Sequence, residues 1–260
     1  MIISPFKNIN IAFWLCTALD VAIALVFWLV YHVNPVFALL FAVIWFVVLR
    51  MLFTSRSVKK INRFVAEHTQ KCQIRPCIAL YERLLNMTKG SRDYIYVNLS
   101  TLYLAVGEFD KMNQALDFVP ESFKPDPRGI SMACYYYNNR SFGKLMNGDL
   151  EHAERDLEQM KYYLDLPAAP NAAHGLSLYE AKQYLLRVLR GESGEIELDI
   201  REKLLDQRDP SGRLLYGYIL CTYYLNHGEG EKAKTYLKSM AEDGGDTFYA
   251  AWAVEQLNLI

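Results

Sequence analysis

Residues 9–33 read INIAFWLCTALDVAIALVFWLVYHV, and residues 36–53 read VFALLFAVIWFVVLRMLF. The first stretch carries Asp20 as its only formally charged side chain, and it is long enough to cross the hydrocarbon core of a bilayer as an α-helix. The second has 18 residues, which just suffice, and Arg50 lies close enough to its end for the side chain to reach the interface. Pro35 between them favours a tight turn followed by a helix start. We therefore predict a two-helix transmembrane hairpin in residues 1–54, with spans at about 9–33 and 36–53.

A cleavable signal peptide is the alternative interpretation of the first stretch. Its apolar run is longer than the apolar region of a signal peptide, and no small-x-small cleavage site follows it. A second apolar stretch comes directly afterwards. These features favour a retained span.

Basic residues predict the orientation of the hairpin. Lys7 precedes the first span, the turn has no Lys or Arg, and four basic residues follow the second span. These four are Arg56, Lys59, Lys60 and Arg63. Because basic residues concentrate on the cytoplasmic side, both termini are expected in the cytoplasm. Setting this topology is a sufficient role for the basic run, and attraction to anionic lipid headgroups is a second one. A compact hairpin without an organelle signal favours a bacterial plasma membrane.

Asp20 lies near the middle of the first span, where a carboxylate is costly and where the second span offers no basic residue at matching depth. Three explanations stay open. Asp20 forms a hydrogen bond within the hairpin, for example with Thr17, Tyr31 or backbone; it joins copies of this protein; or it contacts another membrane subunit.

The remainder of the chain is mildly acidic. Residues 64–260 contain 22 basic and 28 acidic side chains, a net charge of −6, which argues against nucleic acid as the main partner. The five cysteines form no C-x-x-C pair, and no histidine pair at ligand spacing accompanies them, so we predict reduced thiols and no metal site.

Beyond residue 58 the sequence shows amphipathic helical periodicity with short breaks and no convincing strand alternation. Three stretches superpose on one another: YVNLSTLYLAVGEFD at 96–110, GDLEHA at 148–153 and GEGEKA at 228–233. Each ends one helix at a glycine, which suits a left-handed turn, and starts the next with an acidic first turn.

These units resemble the tetratricopeptide repeat superfamily, whose helix–turn–helix pairs are 34 residues long. The resemblance implies an all-α fold in which residues 55–260 form a cytosolic α-solenoid of helix pairs with a terminal capping helix at 247–259. A weaker unit uses Gly194, and another occupies 60–88. The chain departs from the family at Met112, which replaces a small residue, and in the 41-residue spacing from Gly107 to Gly148.

The resemblance also implies that the first helix of each pair lines a concave groove for a partner protein. Carried over by alignment, the groove residues are Tyr94, Val97, Tyr135, Asn138, Tyr184, Tyr218 and Thr222. Tyrosine combines apolar area with a hydrogen-bonding tip, as interfaces commonly do. The basic clamp that some family members use for acidic peptide tails is not visible.

No nucleophile elbow, phosphate-binding loop, dinucleotide fingerprint or zinc-protease helix occurs in the sequence. We therefore predict a non-enzyme without cofactors: a membrane-anchored adaptor or scaffold that recruits a protein through the groove. The alternative is an accessory subunit of a membrane transport or secretion complex, contacted through the hairpin and Asp20. Homo-oligomerisation stays open in both.

Overall fold

The computed structural model describes residues 7–30, 34–88, 90–169 and 172–260. In these residues all regular secondary structure is helical, which confirms the predicted all-α class. The helices are α1 (Lys7–Val30), α2 (Pro35–Thr69), α3 (Arg75–Met87), α4 (Asp93–Ala105), α5 (Phe109–Asp117), α6 (Pro127–Met146), α7 (Leu150–Leu164), α8 (Ala172–Leu189), α9 (Ile196–Asp206), α10 (Pro210–Asn226), α11 (Gly230–Asp243) and α12 (Phe248–Leu257).

The chain divides into two compact units, Met1–Glu67 and His68–Ile260. We call the first the anchor unit and the second the helical domain. The boundary predicted between residues 54 and 55 falls inside α2, which continues from the apolar segment to Thr69 without a break. The domain assignment therefore stays a prediction.

The anchor unit contains α1 and α2. Within the described residues, α2 is the one helix that is long and apolar enough to cross a membrane by length and composition, whereas the apolar segment assigned to α1 is the shorter Phe13–Val26. The ring of Phe13 lies 5.8 Å from that of Phe46 and 5.7 Å from that of Phe53. These contacts join the beginning of α1 to the last apolar turns of α2.

In the helical domain, four inter-helix turns share one geometry. The amide of Glu108 donates to the carbonyl of Tyr103 at 2.9 Å, and Gly107 between them has φ of 76°. This is the glycine-centred helix end that satisfies the last carbonyl groups of a helix. The glycines with this geometry are Gly107, Gly148, Gly191 and Gly228. The weaker unit therefore turns at Gly191, where the amide of Glu192 bonds to the carbonyl of Arg187, and not at the predicted Gly194.

The even-numbered helices from α4 to α12 form an inner layer. α4 contacts α6, α6 contacts α8, α8 contacts α10, and α10 contacts α12. The odd-numbered helices lie on the outside; α7, for example, contacts α6 and α8. The last helix, α12, also contacts α4. The inner layer therefore closes on itself, whereas the first and last helices of an open stack remain apart.

Two contacts join the ends of this closed layer. The Phe248 side chain packs against Gly107, where an added Cβ would lie 3.1 Å from the Phe248 ring. The Asp246 carboxylate accepts hydrogen bonds from the backbone amides of Ile74 and Arg75 at the start of α3, at 2.5 and 2.9 Å. In return the amide of Asp246 donates to the carbonyl of Cys72. The Asp246 carboxylate thereby satisfies amides that the α3 helix cannot pair internally.

Candidate partner-binding surface

The seven residues predicted to line a groove divide by accessibility. Val97, Asn138 and Tyr218 are buried, with 2%, 6% and 4% of their surface exposed. These three side chains offer no surface to a partner. Tyr184 and Thr222 are half-buried, and the Thr222 hydroxyl donates to the carbonyl of Tyr218 on its own helix at 2.8 Å.

Tyr218 is buried because the inner layer closes around it. Its ring lies 4.6 Å from that of Trp252 and 5.7 Å from that of Phe248, both on α12. The Phe142 ring on α6 lies 6.5 Å away. We call Phe142, Tyr218, Phe248 and Trp252 the central aromatic cluster. A position that lines an open groove in the predicted solenoid is here a packing position between α6, α10 and α12.

Asn138 belongs to a buried polar network between α4 and α6. Its side-chain amide donates to the Oδ1 of Asn139 at 3.0 Å, and the Asn139 amide donates to the hydroxyls of Ser100 and Thr101, both at 2.8 Å. The Oδ1 of Asn138 has no hydrogen-bond partner among the described residues. The two hydrogen bonds from Asn139 join α6 to α4 and favour one register between these helices.

Lys182 on α8 is a buried cation that the sequence interpretation did not single out. Only 2% of its surface is exposed, and its Nζ lies 4.6 Å from the centroid of the Phe142 ring. Within the described part of the chain, no carboxylate oxygen lies within 4.0 Å of it. Burial penalises the ammonium form and lowers the pKa of Lys182 to about 7.

Tyr94 and Tyr135 are two members of the predicted groove set that keep part of their surface exposed. Tyr94 is 50% exposed on the first turn of α4, and Tyr135 is half-buried on α6. Burial raises the pKa of Tyr135, and the neighbouring Tyr94 and Cys134 raise it further. The ring of exposed His174 on α8 lies 6.4 Å from that of Tyr135. We call Tyr94, Tyr135 and His174 the tyrosine face; it joins three consecutive inner helices.

Asp20 in the anchor unit is 3% exposed. It lies two turns after Phe13 and one turn after Thr17, on the face of α1 that carries the contacts to α2. The Thr17 hydroxyl donates to the carbonyl of Phe13 at 2.9 Å, and the Oδ1 of Asp20 has no partner among the described residues. Tyr31, named as a partner for Asp20 from the sequence, lies outside the described residues.

The basic run Arg56, Lys59, Lys60 and Arg63 is exposed along α2. Arg63 forms an ion pair with Glu67 one turn later at 2.8 Å, and the Arg56 guanidinium lies 6.0 Å from the Phe53 ring.

A cavity of about 420 Å³ in the helical domain is lined by residues 70–72 and by helices α9 to α11. Lys71 and Arg213 line it together with Asp243, Ser239 and Tyr236. Since both signs of charge are present, the cavity selects neither an anion nor a cation.

Comparison with protein-family models, with curated proteins and with solved structures finds no match to this chain. The geometry of the two units is therefore the basis for assigning a role.

Because Lys182 is buried without a carboxylate beside it among the described residues, replacing it with methionine should increase the free energy of unfolding. The size of this increase should depend on pH. The folded state binds the Lys182 proton more weakly than the unfolded chain does, so wild-type stability rises with pH from about 7 towards the ordinary lysine value of 10.5. The stabilisation by Lys182→Met should be on the order of a few kcal/mol at pH 7 and should shrink towards pH 10. Denaturant titrations of the full chain in detergent at several pH values measure it.

Lys238→Met, on the exposed face of α11, is the matched control and should change stability little at any pH. A constant difference between Lys182→Met and wild type from pH 6 to pH 10 would contradict the burial of an unpaired amine.

Proposed function

We propose that this protein is a two-pass membrane-anchored adaptor, whose helical domain in the cytoplasm recruits a protein partner through the tyrosine face. The observation that carries the anchoring is the reversed polarity of the anchor unit. Most of its large apolar side chains are exposed, whereas its buried residues, as far as the structure describes them, are Asp20, Ala38 and Leu49. Trp14, Leu15, Phe37 and Leu39 are each about two-thirds exposed.

The inward positions of the anchor unit are unlike those of a soluble helix pair. Asp20 and Ala38 are among its buried residues, and Thr17 and Ala42 are half-buried. In water this arrangement is unfavourable, because a large apolar surface would remain exposed. In lipid it is favourable, because small residues allow close helix approach and polar residues avoid hydrocarbon. The contacts of Phe13 with Phe46 and Phe53 support an antiparallel hairpin of α1 and α2.

The basic residues support the orientation. Lys7 before the first span and the run from Arg56 to Arg63 after the second favour a cytoplasmic location for both termini and the helical domain. A bacterial plasma membrane fits this simple topology.

Partner recruitment through the tyrosine face is supported by the chemistry of its residues. Two tyrosines and a histidine supply apolar area and hydrogen-bonding tips at adjacent positions, a composition enriched at protein interfaces. Confinement to the bilayer raises the local concentration of the domain near membrane-bound partners, which strengthens an otherwise modest contact. Asp20 is 3% exposed, so its side chain offers almost no surface to another membrane subunit. The accessory-subunit alternative therefore gains no support from it.

The topology predicts where single cysteines react with a membrane-impermeant maleimide. In a variant whose five native cysteines are serine, Asn34→Cys in the turn should be labelled in intact cells. Lys238→Cys in the helical domain should be labelled only after the membrane is permeabilised. Labelling of both positions, or of Lys238→Cys alone, in intact cells would contradict the proposed orientation.

The tyrosine face predicts position-specific contact with a partner in cells. A photo-crosslinking amino acid in place of His174 should give one defined adduct, identifiable by mass spectrometry. Tyr94→Ala combined with Tyr135→Ala should weaken the partner's binding about tenfold and reduce that adduct, because buried aromatic anchors typically contribute most at interfaces.

The matched control carries the photo-crosslinker in place of Tyr162, which is similarly exposed on the outer helix α7. It should give no such adduct. An adduct at position 174 that persists in the Tyr94→Ala/Tyr135→Ala variant would count against recruitment through this face.

A further inference from the structure

The basic run of α2 forms one stripe on a continuous helix. Arg56, Lys59, Lys60 and Arg63 follow at i, i+3, i+4 and i+7, so their side chains share one helical face. All four are exposed. We call them the basic stripe.

The helix carries the basic stripe directly out of the apolar segment. At a rise of about 1.5 Å per residue, Arg56 lies about 4.5 Å beyond Phe53 along the axis, and Arg63 about 15 Å beyond it. The headgroup layer of each leaflet is roughly 5–8 Å thick. Arg56, Lys59 and Lys60 therefore emerge within or just above the headgroups, and the long Arg63 side chain can extend back towards them.

Within the anchor unit, the sequence supplies one acidic residue close to the stripe. After Asp20, the first acidic residue in the sequence is Glu67. Glu67 pairs with Arg63, but the side chains are 82% and 54% exposed, so this pair is weak in water. The charge complement of four clustered cations at this depth is the phosphate-bearing headgroup of an anionic lipid.

We propose that the basic stripe binds anionic phospholipid headgroups of the cytoplasmic leaflet and enriches those lipids around the anchor. This inference rests on the proposed two-pass anchoring and adds a lipid preference to it. If the stripe only set the topology, the positive charge of its residues would be sufficient. Lipid binding also depends on their position on one helical face and on their distance from the membrane surface.

Two tryptophans of α1 allow each leaflet to be tested separately. Trp14 follows Phe13, whose ring contacts Phe53, so Trp14 lies near the end of the apolar segment from which the basic stripe emerges. Trp28 lies about 21 Å further along the helix, near the opposite end. Both are exposed. The full chain with a single remaining tryptophan, at position 14 or at position 28, is reconstituted into mixed vesicles of phosphatidylcholine and phosphatidylglycerol. One lipid at a time carries brominated acyl chains, which quench the fluorescence of adjacent tryptophan.

We expect phosphatidylglycerol to be enriched only in the leaflet on the side of the basic stripe. Brominated phosphatidylglycerol should quench Trp14 more than brominated phosphatidylcholine does, corresponding to roughly threefold or greater enrichment. Trp28 should show no preference. The preference at Trp14 should fall in high salt, because salt screens these charges, and should disappear when all four stripe residues are replaced by glutamine.

The control variant replaces four cations of the helical domain by glutamine, at Arg155, Lys161, Lys234 and Lys238, and should keep the preference. Equal quenching of Trp14 by both lipids in the wild-type chain overturns the lipid inference and leaves the anchor intact. Absence of quenching at both Trp14 and Trp28 by either lipid would instead contradict the membrane anchoring itself.

Discussion

The contact between α12 and α4 is the constraint on which the arrangement of the helical domain depends. Phe248 packs against Gly107, a position that excludes a side chain because of both its φ of 76° and the closeness of the ring. Together with the Asp246 carboxylate on the amides of α3, this contact closes the inner layer. Closure turns the inward surface of the helices from a groove into a packed interior. The central aromatic cluster lies in that interior, where Phe248 and Trp252 of α12 pack against Tyr218.

Closure also decides which part of the inner layer remains available to a partner. Phe142, Tyr218 and their neighbours are buried, whereas residues in the first turns of α4 and α8 remain accessible. The proposed recruitment is therefore assigned to the exposed Tyr94 and His174 and to Tyr135, whose ring lies 6.4 Å from that of His174. The anchor unit differs, because most of its large apolar side chains are exposed and Asp20 is buried.

The sequence predicted the features that depend on local chemistry. These features are the long apolar helix α2, the amphipathic helices and the glycine turns at Gly107, Gly148 and Gly228, each of which depends on residues close together in the sequence. Gly191 and Gly194 both have positive φ, so local chemistry did not distinguish them. The 34-residue family spacing favoured Gly194, and the hydrogen bond from Glu192 to Arg187 selects Gly191.

Closure of the layer could not be predicted in this way, because it depends on contacts between residues near 72 and residues near 246 that leave no local pattern. Tyr94 and Tyr218 were therefore assigned to the same surface, although α12 buries only Tyr218. The burial of Lys182 could have been predicted from the sequence if the repeat had been aligned on Gly191. Counted back from Gly191, Lys182 corresponds to Asn139 in the unit of Gly148 and to Ile219 in the unit of Gly228, and both of those residues are fully buried. A lysine at a repeat position that is buried in the other units would have indicated a buried amine. Alignment of the repeat on Gly194 did not bring Lys182 to that position.

The most direct test of this account is the distance between α4–α5 and α12 in solution. Spin labels at Asp110 and Ala251, which follow Phe109 and Phe248 on exposed positions, report it by pulsed electron spin resonance on the full chain in detergent. The Phe109 and Phe248 rings are 5.6 Å apart, so the closed layer predicts a single label separation below about 25 Å, with allowance for the label arms. An open stack would put four inter-helix spacings of about 10 Å each between these helices. A distribution centred near or above about 40 Å would contradict the closed layer.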